Sequence, residues 1–71
     1  MEQIFGYFDW VSFELYDGFL RIRYAKPRVN GTHKIVVTDR MVWVYQRDAS
    51  GQYVPDVCGT NFAIYQEQEE D

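Results

Sequence analysis

Asp17-Gly18 is the pair that most restricts how this chain can fold. On both sides of it the sequence alternates. Val11, Phe13 and Leu15 stand against Ser12, Glu14 and Tyr16 before it, and Leu20, Ile22 and Tyr24 against Phe19, Arg21 and Arg23 after it. A period of two belongs to a strand, whose successive side chains point to opposite faces. Asp-Gly between two such runs predicts a two-residue turn with positive φ at both positions, the turn whose twist matches that of paired strands. The register follows: Tyr16 opposite Phe19, Leu15 opposite Leu20, Glu14 opposite Arg21, Phe13 opposite Ile22, Ser12 opposite Arg23 and Val11 opposite Tyr24. One face then carries Val11, Phe13, Leu15, Leu20, Ile22 and Tyr24, read as core. The reverse carries Ser12, Glu14, Tyr16, Phe19, Arg21 and Arg23.

Further turn signals divide the rest of the chain. Asn30-Gly31 predicts a second two-residue turn, with residues 32–37 pairing back so that Tyr24 faces Val37 and Lys26 faces Ile35. Residues 41–47 open with five consecutive apolar residues, the pattern of a strand covered on both faces. Residues 52–57 and 61–65 read as fifth and sixth strands. Pro27 and Pro55, which lack an amide donor, mark edges or bulges. The first ten residues fit a short strand or a helical turn, with Gly6 unfavourable to either.

The resulting expectation is a mainly all-β chain: a small antiparallel sheet, or a five- to six-stranded barrel of SH3-like or OB-like size. Residues 1–65 form one domain, and residues 66–71 form a disordered acidic tail. With 71 residues the core is small and needs dense packing or a partner. Aromatic residues make up 18% of the chain, enough both to build that core and to leave rings for an interface.

Composition narrows the function. One cysteine, Cys58, and one histidine, His33, permit no internal disulfide and do not supply a zinc site. No cofactor or metal is expected. A Cys58–His33 dyad is weaker than the reading in which Cys58 is a small packed hydrophobe and His33 a turn residue. The carboxylates are scattered, and there is no glycine-rich phosphate loop. An enzyme is therefore not expected. No apolar run has the length of a membrane span. The N-terminus lacks the pattern of a signal peptide, and the lone thiol fits a reducing compartment, so a cytoplasmic protein is expected.

The formal net charge is −4, but four acids lie among the last five residues, leaving seven acids and seven bases in the body. Between Gly18 and Thr38 there are five bases and no acid. Two readings follow. The first is a protein-binding module, of the kind a virus or mobile element uses to inhibit or adapt a larger partner, or one that self-associates. Its candidate contact residues are Tyr16, Phe19, Arg21, Arg23, Trp43 and Tyr45, because interfaces are enriched in aromatic residues and arginine. The second, less favoured, is single-stranded nucleic-acid binding, with the aromatic residues of the first hairpin as stacking platforms beside its bases.

Overall fold

Two short links decide the architecture: Asp17-Gly18, and Thr60-Asn61 between the last two strands. The computed structural model describes residues 2–67. Among these there are six strands and no helix: β1 (Gln3–Tyr16), β2 (Phe19–Pro27), β3 (His33–Val37), β4 (Val42–Arg47), β5 (Tyr53–Gly59) and β6 (Phe62–Gln66). They form one mixed sheet in the order β5-β4-β3-β1-β2-β6. The first hairpin has the expected register at all six pairs. Its turn has φ of 55° at Asp17 and 76° at Gly18, positive at both positions as the turn type requires.

The predicted pairing of the second and third strands is not formed. β3 pairs with β1, through Gln3–Val37, Ile4–Val36, Gly6–Ile35, Tyr7–Lys34 and Phe8–His33, so Tyr24 does not face Val37 and Lys26 does not face Ile35. Of the Asn30-Gly31 pair only Asn30 has positive φ, 62°. Gly31 is required for another reason. A Cβ there would lie 2.7 Å from the backbone carbon and oxygen of Phe8. The loop crosses over β1 and is fastened to it. The Arg28 amide donates to Tyr7 O at 3.0 Å, and the Thr32 amide to Asp9 Oδ1 at 3.3 Å. The Arg28 guanidinium meets Asp9 Oδ2 at 3.0 Å. Residues 3–10, within the stretch ambiguous in sequence, are the start of this long central strand.

The sheet curls without closing. β5 and β6 occupy opposite edges, yet only two residues separate them, so those edges meet at one corner. There Asn61 O accepts the Leu20 amide at 2.8 Å, and Gly59 lies against the Leu20 side chain. The two edges do not pair, and β6 runs parallel to β2. The expected closed barrel and the purely antiparallel sheet are both corrected by this corner. Thr60-Asn61 does not form a hairpin turn like Asp17-Gly18, and the chain passes through it directly from one edge to the other.

The curl makes a core from one layer. Phe8, Leu20, Ile22, Ile35, Val42 and Val44 are buried inside it, flanked by Val11, Tyr24, Val37, Val57, Phe62 and Ile64. Phe8 and Val11 both face inward although they are three apart. The alternation therefore changes phase near Asp9, opposite Lys26, whose φ is 57°. Pro55 lies where sequence placed it, on an edge strand and beside a register shift at Val44/Tyr45.

The buried half of His33 gives a pH dependence. Burial holds its imidazole below the ordinary value of 6.5, opposed by Asp56 and Asp9. The unfolded chain then binds the proton first, so stability is fully present above pH 6.5 and falls as pH drops through it. Asp9 and Asp48 act at lower pH. Arg28 at Asp9, and Ser50 with Gln52 at Asp48, hold the carboxyls below the ordinary 3.8. Their contribution is lost as pH falls below that value. Thermal midpoints should decline as pH falls from neutral through 6.5, and His33→Gln should flatten that segment alone. An unchanged slope in the variant contradicts the assignment to His33.

Candidate interaction surface

The distal half of the first hairpin extends past the rest of the sheet. β1 pairs with β3 only as far as Phe8, whereas it pairs with β2 from Phe8 to Tyr16. Over residues 10–16, β1 therefore has a strand on one side only. This overturns the expectation that Phe13 and Leu15 belong to the core. Leu20 and Ile22, directly opposite them, are fully buried because β6 covers their other side. Phe13 remains 39% exposed and Leu15 66%, since β3 has ended before it reaches them. Trp10 is 39% exposed and Tyr16 82%.

The hydrogen bonds fix which way the backbone of this edge points. The Leu20 amide donates to Asn61 O and the Tyr24 carbonyl accepts from the Glu67 amide, both toward β6. Leu20 and Tyr24 therefore do not bond to Leu15 and Val11 across the hairpin. In an antiparallel ladder bonded and non-bonded pairs alternate. Ser12, Glu14 and Tyr16 are bonded to β2, while the amides and carbonyls of Val11, Phe13 and Leu15 face outward.

On the reverse face the six proposed contact residues separate into two groups. Tyr16, Phe19, Arg21 and Arg23 lie together across β1 and β2, and β6 adds Ala63 beside Arg21 and Tyr65 beside Arg23. Shallow depressions run along this group, one lined by Ser12, Phe13, Glu14, Arg21 and Arg23, the next by Arg21, Arg23, Tyr65 and Glu67. Phe19 is half-buried. Arg21 meets Glu14 at 3.5 Å, an exposed pair whose contribution is below about 1 kcal/mol. Arg23 has no ion pair among the described residues. Tyr65 was not singled out from sequence; only the parallel placement of β6 brings it here.

Trp43 and Tyr45 lie elsewhere, on β4, pointing away from buried Val42 and Val44. Their rings stand 6.5 Å apart. Lys34 Nζ sits 4.5 Å from the Tyr45 ring centre and 5.2 Å from that of Tyr53, and Tyr7 packs on Tyr53 at 5.6 Å. Val36, between Ile4 and Trp43, is buried on this side. Trp43 and Tyr45 are thus partly buried, with Lys34 over the Tyr45 ring, while Tyr7 of β1 packs on Tyr53 of β5. Arg47 is likewise held, donating to Asn30 O at 2.7 Å and to Gly51 O at 3.2 Å.

No Cys58–His33 dyad is assembled. Cys58 is opposite Trp43 and His33 opposite Gln46, on different sides of β4 and three residues apart along it. Among the described residues no cluster of three or more His, Cys, Asp or Glu could hold a metal, and no helix is long and apolar enough to cross a membrane. Of the acidic tail, residues 68–71 lie outside the described residues. Gln66 belongs to β6, and the Glu67 amide is bonded to Tyr24. No family model, curated protein or solved structure matches this chain.

Proposed function

We propose that this chain is a non-enzymatic protein-binding module whose contact surface is the first hairpin. The observation that supports it most is the exposure of Leu15 and Tyr16 on a strand with one unpaired edge. A small domain with a core this limited gains by burying such side chains. Arg23 and Tyr65 alongside supply the residue types that anchor interfaces. A module of this kind acts by occupying a surface of a larger protein or of another copy, which is how an adaptor or inhibitor works.

The single-stranded nucleic-acid reading draws less support. Of the five bases between Gly18 and Thr38, Arg21 is paired with Glu14, Arg28 with Asp9, and Lys34 lies over two tyrosine rings. Few uncommitted cations remain to neutralise a phosphate backbone.

The test places a photo-crosslinking residue at position 16 and compares captured proteins with those of a Tyr16→Ser/Phe19→Ser variant. The variant should stay folded, at a cost of about 1 kcal/mol or less for the lost cross-strand pair, and should lose the captured proteins. A folded variant that captures the same set contradicts the reading. Binding of labelled single strands at low salt would favour the alternative.

A further inference from the structure

We infer that the occupant of the unpaired edge is a second copy of this chain, joined to the first by antiparallel β1–β1 pairing with Phe13 on the two-fold axis. This rests on the protein-binding reading and names its partner. Sheet edges are normally guarded by proline, lysine, bulges or shortness. The β5 edge has Pro55 and a bulge, and β6 has five residues. The edge of β1 over residues 10–16 has no proline, lysine or glycine, and its outward backbone groups belong to Val11, Phe13 and Leu15.

The edge is complementary to itself in one register. The free stretch is centred on Phe13, so a two-fold there pairs its whole length. Phe13 meets Phe13 of the second copy, Val11 meets Leu15, and Leu15 meets Val11. Those are the residues whose amides and carbonyls face outward, so all three pairs are hydrogen-bonded, giving about six bonds between copies. The even positions match as well. Ser12 faces Glu14, and exposed Trp10 faces exposed Tyr16, an aromatic cross-strand pair at the closer spacing. Sliding by two residues one way sets Glu14 against Glu14, and the other way sets Leu15 against Asp9. The interface is isologous, and it closes at two copies because each edge is used once. It would join two six-stranded sheets through their longest strands.

The experiment uses the full chain. Sedimentation from micromolar to near-millimolar concentration should show a reversible dimer. Leu15→Lys, a guard at an exposed position, should weaken dimerisation at least tenfold and leave the circular dichroism unchanged. In a Cys58→Ser background, single cysteines at positions 11, 13 and 15 are then oxidised. A cysteine replacing Phe13 lies about 5.5 Å Cα to Cα from its copy, within disulfide reach. Those replacing Val11 or Leu15 lie about 14 Å from theirs and should not cross-link. A monomer at every concentration, a dimer indifferent to Leu15→Lys, or equal cross-linking at all three positions overturns the proposal. If the chain is monomeric yet Tyr16→Ser/Phe19→Ser still abolishes capture of other proteins, the hairpin reading stands and a foreign strand is the occupant. If capture is also unaffected, both fall.

Discussion

Ile22→Ala is expected to remove about 2–5 kcal/mol of stability, the usual cost of emptying a buried aliphatic site. A domain of this length has roughly 4–10 kcal/mol in total, so the variant stands near the edge of unfolding at 25 °C. The expectation is specific to position. Ile22 is fully buried between Phe13 of β1 and Ile64 of β6, and its side chain belongs to the core cluster. Leu15→Ala in the same hairpin deletes the same number of atoms from a residue the sequence pattern assigns to the same face, yet it should cost below about 1 kcal/mol, because Leu15 is mostly in solvent. Urea denaturation of both variants reads the difference. Equal losses would mean that the hairpin is packed evenly along its length and that its distal half is not free.

Gly31→Ala should cost about 2–3 kcal/mol by overpacking, and more if the loop detaches. The new methyl would meet the Phe8 backbone at 2.7 Å, with the Phe8 nitrogen at 3.0 Å, so no rotamer change relieves it. The loop would have to lift from β1, breaking the Arg28 amide bond to Tyr7 and the Thr32 bonds to Asp9 and Phe8. Gly18 is a glycine for a different reason. Nothing lies within 4 Å of its Cβ direction, but its φ is +76°. Asparagine tolerates that conformation and contacts no neighbour there, so Gly18→Asn should be mild where Gly31→Asn is as damaging as alanine. Thermal melts of the three variants separate strain from steric exclusion. A severe Gly18→Asn with a mild Gly31→Asn would reverse the assignment.

The local signals in the sequence were legible because they act over a few residues. Asp17-Gly18 determined a turn and a register, and alternation located strands near residues 19–24, 32–37, 41–47, 52–57 and 61–65. Long-range order was not legible. Asn30-Gly31 carries the same turn chemistry as Asp17-Gly18, but whether it joins neighbours depends on what else competes for the strand beside β2. β1 is long enough to hold β2 along one half and β3 along the other, and no local pattern announces that sharing. The phase change near Asp9 hid the strand character of residues 3–10, because the inward residues Phe8 and Val11 break alternation. The same sharing explains the error at Phe13 and Leu15. Their pattern is that of core residues, and it is satisfied only where a second strand accompanies β1. On the reverse face, Tyr16, Phe19, Arg21 and Arg23 come together because the hairpin register alone groups them, whereas Tyr65 arrives through a parallel pairing that no turn signal encodes.

The unpaired edge of β1 is tested most directly by amide hydrogen exchange, residue by residue, as a function of protein concentration. Ser12, Glu14 and Tyr16, bonded to β2, should be protected throughout. Val11, Phe13 and Leu15 should exchange rapidly in dilute solution and become protected as concentration rises. Contradiction would come from outward amides that are already protected in the most dilute sample, since the edge would then be covered by the chain itself. Outward amides that gain no protection at the highest concentration would equally refute pairing with a second copy.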